Sequence, residues 1–134
     1  YGYPYQNFKR LINSASSKNM GVIAIRVLAA GALSATAERH ELAAQSPRPI
    51  GTGASLIDDV AAAQNFSFLW SEGYTDNLVE GAIRFAITNH DVSTALIGLS
   101  SMEQLERAAI AAEKGPLPGE AIERLQAIWA DMAN

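Results

Sequence analysis

Two short apolar runs, at residues 22–28 and 93–97, stand out in the pattern of hydrophobic and polar positions along the chain. Each run ends at small residues: the turn 29–34 follows the first, and Gly98 follows the second. Neither run shows the apolar-polar alternation of a strand with one solvent-facing side, so each strand should be covered on both faces. The pattern therefore predicts two parallel strands within an α/β fold.

Five further segments space their apolar residues as amphipathic helices do. The predicted helices cover residues 6–18, 55 to about 70, about 75–90, 100 to about 114, and a final stretch that follows the interrupting GPLPG segment at 115–119 and extends to about residue 132. Within 35–53, the sequence AERHELAAQ is compatible with a short helix, whereas the proline and glycine content of SPRPIGTG excludes one. Helices thus outnumber strands by five to two.

Capping residues are predicted for three of these helices. Ser55 and Ser100 each stand three positions before an acidic residue, which is the spacing of a capping box. Thr75 or Asp76 is predicted to accept the free N–H groups of the helix that follows Gly73.

The number of strands is too small for an independent sheet. A two-stranded sheet is marginal in water and leaves open edges, whereas a complete eight-unit strand-helix barrel needs about 250 residues. With 134 residues, a first residue Tyr1 and strands that lack a polar face, the chain is predicted to hold two units of a larger closed sheet. The other strands are then expected outside the sequence given.

Composition and charge narrow the classes of function. The chain is 49% hydrophobic and 18% charged, as in globular domains, and its formal net charge of -4 disfavours binding to nucleic acid. No apolar run reaches the ~20 residues needed to cross a bilayer, so no membrane association is expected. The absence of cysteine excludes disulfides and zinc-thiolate sites and agrees with a cytoplasmic location.

Three segments in fixed order carry a resemblance to a known family. They are GVIAIRVLAAGALS, NLVEGAIRFAITNHDVSTALIGLSSMEQLERA and PLPGEAIERLQAIW, and together they resemble the C-terminal portion of the aldo-keto reductases over nearly the whole chain. The resemblance implies a partial (β/α)8 TIM barrel, made of strands seven and eight with their helices and a C-terminal helix. It also implies that residues 35–75 are a long insertion with a helix, and that the parent enzyme uses NADPH to reduce small aldehydes and ketones.

The same resemblance implies a cofactor-binding set. Leu28 and Gly31 fall on the loop that wraps the cofactor pyrophosphate, while Gly98, Ser100 and Gln104 match a G-x-S-x-x-x-Q stretch that holds the adenosine 2'-phosphate and adenine. Independently of the family, glycine lets the backbone approach a ligand, and a helix opening at Ser100 offers N–H groups to a phosphate. The alternative is structural: Gly98 permits a turn and Ser100 caps its helix.

Some positions depart from the family pattern. Arg26 and Val27 stand where many members carry Ser and Pro, and Ala108 stands where an Asn usually contacts adenine. Arg107 occupies a position that is often acidic. It is predicted either to meet the 2'-phosphate or stack on adenine, which favours NADP over NAD, or to be an exposed helix arginine.

The catalytic residues of the family have no counterpart in this sequence. The family's proton donor is a Tyr assisted by Lys, Asp and His from earlier strands, so the chain alone is expected to be inactive. Lysines 9, 18 and 114 and histidines 40 and 90 are predicted to be solvated charges, and no residues have the spacing of metal ligands.

Two aromatic groups have alternative interpretations. Tyr1, Tyr3, Tyr5 and Phe8 either stack on a nicotinamide ring or pack against the first helix. Phe66, Phe68 and Trp70 either border a substrate pocket or belong to the core.

Two functions from different classes remain open. The first is the cofactor-binding part of an NADPH-dependent aldo-keto reductase, whose partner is the missing half of the barrel. The second is a non-catalytic module derived from that fold, which associates with another copy of itself to cover its sheet.

Overall fold

The structure, a computed structural model, describes residues 10–36, 38–50 and 55–132. The helices are α1 Leu11–Ser16, α2 Leu56–Ala63, α3 Phe68–Ser71, α4 Leu78–Ala86, α5 Met102–Glu113 and α6 Gly119–Met132; the strands are β1 Ile23–Ala24 and β2 Thr94–Ala95; and 3₁₀ segments cover Ala29–Ser34 and Gln64–Phe66. The order of strands and helices follows the prediction, except that the single helix predicted for residues 55 to about 70 is divided into α2 and α3 by the 3₁₀ segment Gln64–Phe66. Within the described stretch 38–50 the chain forms turns and bends, without the short helix that the sequence left open.

The two strands pair in parallel, as predicted. Ile23 lies opposite Thr94 and Ala24 opposite Ala95, and the N–H of Leu96 donates to the carbonyl of Ala24 at 2.8 Å. The strands are shorter than the predicted 22–28 and 93–97. Arg26 adopts a φ of 62°, which turns the chain out of the extended conformation and ends β1.

One face of this sheet is open. Side chains alternate along a strand, so the parallel register places Ile23, Ile25 and Leu96 on the same face. These side chains are 58%, 66% and 56% exposed, whereas Ala24 and Ala95 on the opposite face are half-buried. The prediction that each strand is covered on both faces is therefore wrong for the described residues taken by themselves, because nothing in them packs over the isoleucines.

The hydrophobic core lies among the helices. It is formed by the buried residues Ala63, Phe68, Leu69, Leu78, Leu117, Ala121, Leu125 and Trp129. Phe66 and Trp70 pack against the same cluster. The core interpretation of the three aromatics at 66, 68 and 70 is therefore confirmed.

Helix caps differ from the predictions at two of three sites. Ser55 accepts the N–H of Asp58 at 3.1 Å, as predicted. The N-cap of α4 is Asn77, which accepts the N–H of Glu80 at 2.9 Å, and neither Thr75 nor Asp76 performs this role. Thr75 is buried and its hydroxyl donates to the carbonyl of Asn77 instead, because the chain enters the helix one residue later than predicted.

A charged network joins α4 to the end of α5. Arg84 pairs with buried Glu80 at 3.0 Å, and the ammonium of Lys114 lies 2.8 Å from carboxylate oxygens of both Glu80 and Asp76. Lys114 is exposed, as predicted, but it is paired with two carboxylates and is not an isolated charge. Its position follows from the approach of α5 to α4, which brings together residues far apart in the chain.

The same contacts shift the ionisation of these groups. The hydrogen bond from Lys114 lowers the pKa of Asp76, and the two carboxylates raise the pKa of Lys114. Burial by itself raises the pKa of Glu80, but hydrogen bonds from Lys114 and Arg84 outweigh burial and leave that pKa below its ordinary value. The network is thus held in its charged form.

Candidate functional site

A cleft of about 520 Å³ lies at the ends of the two strands. Its walls are the loop after β1, residues between 36 and 47, the loop after β2 and the first turn of α5. Five of the six residues predicted for cofactor binding line it: Leu28, Gly31, Gly98, Ser100 and Gln104. Because the strands are parallel and adjacent, their carboxyl ends meet, and this position is where ligands bind in α/β folds.

The loop after β1 follows a left-handed course. The φ angles of Ala29, Ala30 and Gly31 are 47°, 59° and 99°. Hydrogen bonds hold this course, since the N–H of Gly31 donates to the carbonyl of Leu28 at 2.8 Å and the hydroxyl of Ser34 donates to the carbonyl of Gly31 at 2.7 Å. Each left-handed alanine costs about 1–2 kcal/mol, so the rest of the fold imposes this shape on the loop.

Gly98 has an open environment. A Cβ added to it would meet no atom within 4 Å, and its backbone is not among the described residues with positive φ. Within the described chain, neither packing nor the turn itself requires glycine at this position. Gly98 therefore lines the cleft without a side chain, and its ligand role stays a prediction.

The first turn of α5 closes the cleft. Ser101, not Ser100, is the N-cap: its hydroxyl accepts the N–H of Gln104 at 3.2 Å. The side-chain oxygen of Gln104 in turn accepts the N–H of Ser100 at 2.7 Å. The predicted Ser100–Glu103 capping box is thus replaced by an arrangement in which Ser101 caps the helix and Gln104 accepts the N–H of the residue before the cap, because the helix begins one residue later.

This cap defines what the two residues can offer a ligand. The backbone N–H of Ser100 is already used, but Ser100 lines the cleft and its hydroxyl has no hydrogen-bond partner among the described residues. The oxygen of Gln104 is also used, while its amino group has no acceptor among the described residues. One hydroxyl and one amide donor are therefore available at this end of the cleft.

Arg107 does not reach the cleft. It pairs with Glu103 one helical turn earlier at 2.5 Å, and the two side chains are 72% and 69% exposed. Arg107 is therefore an exposed helix arginine, which is the second of the two alternatives predicted from the sequence.

Three basic residues of the cleft were not predicted as site residues: Arg26, Arg39 and His40. Arg39 is half-buried, whereas Arg26 and His40 are exposed. No spacing or motif links position 39 to the loop at 29–34, since the contact depends on how the intervening turns fold back. The only feature of the sequence that could have pointed to Arg39 is its positive charge within a segment rich in small residues.

Other kinds of site are not seen in the part of the chain that the structure describes. There, no three histidine, aspartate or glutamate side chains come together as ligands for a metal ion. Among the described helices, none combines the length and apolar character that a membrane span requires. Residues 1–9, which include the N-terminal tyrosines and Phe8, lie outside the described residues.

Comparison with known proteins agrees with the architecture. A family model described as "Aldo/keto reductase family" matches residues 4–130. The family implies an oxidoreductase with a TIM-barrel-type α/β fold, and the two parallel strands with their flanking helices are consistent with part of such a barrel. The chain belongs to the aldo/keto reductase family. Comparisons with curated proteins and with solved structures gave no match.

Proposed function

We propose that the chain is the part of an aldo/keto reductase that binds NADP(H), and that the parent enzyme reduces the carbonyl group of small aldehydes or ketones. The observation that carries the proposal is the gathering of Leu28, Gly31, Gly98, Ser100 and Gln104 in one cleft. These residues come from two loops more than sixty positions apart in the sequence. Their convergence is expected if they share a ligand.

The residues of the cleft suit a phosphorylated dinucleotide. The volume of about 520 Å³ lies within the range of small-molecule sites. The left-handed loop at 29–31 would lie along the pyrophosphate, while Ser100 and Gln104 would donate to the adenosine end. NADPH, when bound, supplies the hydride for carbonyl reduction.

Proton transfer is assigned to other parts of the parent enzyme. None of the cleft residues matches the Tyr, Lys, Asp and His set of the family, and His40 is exposed at the cleft, where its Nδ1 accepts the N–H of Leu42 at 3.2 Å. We therefore propose that this chain binds and orients the cofactor, and that the open sheet face meets the remaining strands of the barrel.

A titration of the 134-residue chain with NADPH tests the proposal, with cofactor fluorescence as the readout. Saturable binding of NADPH that is competitively inhibited by adenosine 2'-monophosphate would support a cofactor site with an adenosine end at the cleft. Absence of binding at millimolar NADPH, with the chain shown to be folded by circular dichroism, would contradict cofactor binding by this chain.

The substitution Gln104→Glu separates binding from folding. Glutamate keeps the oxygen that accepts the N–H of Ser100, and an acid in the first helical turn is favourable, so the free energy of unfolding should stay within about 0.5 kcal/mol. The new negative charge faces the cleft, so NADPH affinity should fall about tenfold or more.

The matched control for this prediction is Glu106→Gln, an exposed position on the same helix that does not line the cleft. It should leave NADPH affinity within about twofold. Unchanged affinity in Gln104→Glu, measured by the same titration, would remove Gln104 from the proposed site.

A second candidate function is self-association, which the open apolar sheet face favours. Ile23, Ile25 and Leu96 together present a contiguous apolar surface next to two unpaired strand edges. Two copies that pair these faces would bury them without any further polypeptide.

The substitution Ile25→Lys tests this candidate, with sedimentation velocity as the measurement. If the sheet face is the interface, the wild-type chain is a dimer and Ile25→Lys shifts it to monomer. Ile57→Lys, at a 70% exposed position on α2, should leave the dimer intact. A wild-type chain that is monomeric at all concentrations would contradict self-association.

A further inference from the structure

The guanidinium of Arg39 lies against the left-handed loop of the cleft. Its Nη1 donates to the carbonyl of Ala30 at 2.7 Å, and its Nε donates to the carbonyl of Ala44 at 2.6 Å. Arg39 therefore joins two walls of the cleft, the loop at 29–34 and the turns near residue 44. Both bonds are charge-assisted and stronger than bonds between neutral groups.

Gly31 and Arg39 form a tight contact. A Cβ on Gly31 would lie 2.7 Å from Nη1 of Arg39, closer than real Cβ atoms approach other heavy atoms. The φ of 99° at Gly31 also disfavours a side chain. The glycine thus serves two needs, since it permits the left-handed turn and leaves space for the guanidinium directly over the loop.

The charge of Arg39 has no carboxylate partner among the described residues. Arg84, Arg107 and Arg124 each form an ion pair with a glutamate there, whereas Arg39 is held only by carbonyl oxygens. Glu38 also lines the cleft, but it forms no ion pair with Arg39 among the pairs of the described residues. A half-buried cation held by neutral acceptors keeps most of its charge for an anion that enters the cleft.

We infer that Arg39 is a binding and positioning residue of the cleft: it fixes the 29–34 loop in its left-handed course and presents its charge to the diphosphate of a bound nucleotide. This inference rests on the proposed function, because a diphosphate reaches Arg39 only if the cleft binds a dinucleotide. Arg39 lies in the segment between the two strands. It is not part of the sequence motifs that were predicted to bind the cofactor.

The experiment compares Arg39→Gln, Arg39→Lys and the control Arg48→Gln in the 134-residue chain. Arg48 is exposed and does not line the cleft, so its substitution removes the same charge elsewhere. The ligands are NADPH, which has a diphosphate, and adenosine 2'-monophosphate, which lacks one. Amide hydrogen exchange in the peptide 28–36 reports on the loop without any ligand.

We expect Arg39→Gln to weaken NADPH binding about 10–100-fold and to leave adenosine 2'-monophosphate binding within about twofold. Arg39→Lys keeps the positive charge but loses the planar guanidinium with its several donors. Its NADPH affinity should therefore lie between that of wild type and that of Arg39→Gln. Exchange in 28–36 should accelerate in Arg39→Gln. Arg48→Gln should leave both affinities and the exchange rates unchanged.

Two results would overturn the inference. The first is an equal loss of affinity for both ligands, or no loss for either, because Arg39 would then not act on the diphosphate. The second is unchanged exchange in 28–36, because the loop would then not depend on Arg39. If the wild-type chain binds neither ligand, the proposed function fails and the ligand role of Arg39 fails with it, while the exchange measurement still decides the positioning role.

Discussion

Replacing Trp129 with alanine is expected to lower the free energy of unfolding by about 4 kcal/mol, the middle of the range for large aromatic side chains removed from a core. Trp129 is 9% exposed, and its ring makes edge-to-face contacts with Phe85 at 5.4 Å and Phe66 at 6.4 Å between centroids. These rings come from α6, α4 and the 3₁₀ segment Gln64–Phe66, so one deletion opens a cavity where three segments meet. Urea unfolding measures the effect.

A second substitution on α6 provides the control. Met132 is 50% exposed, and Met132→Ala should change the free energy of unfolding by no more than about 0.5 kcal/mol. Trp129→Phe keeps an aromatic ring in the site and should lose less than Trp129→Ala. If Trp129→Ala cost no more than Met132→Ala, α6 would not be docked on the core as the structure describes.

Replacing Arg84 with alanine is expected to cost about 3 kcal/mol, the lower end of the range for breaking a buried ion pair, because Lys114 still faces Glu80. Arg84 also donates to the carbonyls of Tyr74, Gly115 and Pro116 at 2.9, 3.0 and 3.1 Å. The substitution would leave these acceptors without that donor and would remove two of the hydrogen bonds that hold the turn between α5 and α6 against α4. The midpoint of urea unfolding at neutral pH measures the loss.

The chain contains its own control for this prediction. Arg107 and Glu103 have the same i, i+4 spacing, but their side chains are 72% and 69% exposed, against 11% and 7% for Arg84 and Glu80. Arg107→Ala should therefore cost less than about 0.5 kcal/mol. Arg84→Lys keeps the positive charge but loses the guanidinium that donates to the three carbonyls. It should therefore recover only part of the lost free energy of unfolding. Equal costs for Arg84→Ala and Arg107→Ala would show that burial of the pair and its carbonyl contacts add nothing.

Much of the cleft follows from the positions at which the strands end. The sequence places Leu28 and Gly31 after one apolar run and Gly98, Ser100 and Gln104 after the other, and parallel pairing is enough to bring these two groups together. The sixth predicted residue, Arg107, lies in the second helical turn of α5, where the helix carries it away from the cleft. Residues near strand ends are thus easier to assign from sequence than residues on helix faces.

The N-caps of α4 and α5 were predicted wrongly because each helix is preceded by neighbouring residues that can all act as an N-cap. Thr75, Asp76 and Asn77 are all suitable N-caps, as are Ser100 and Ser101, and propensity does not distinguish them. The choice falls on Asn77 and Ser101 because the surrounding structure fixes where each helix begins. The buried Thr75 and the ion pair of Asp76 with Lys114 show which contacts decided the first case.

The sequence by itself determined the order of helices and strands, the parallel pairing and the family, because periodicity and motif order are local properties of the chain. Only the tertiary structure decided the contacts between distant residues: Arg39 over Gly31, Lys114 between Asp76 and Glu80, and the exposure of Ile23 and Ile25. The physical reason is that a side chain's charge and polarity are written in the sequence, whereas its partner depends on how separate segments approach one another in space.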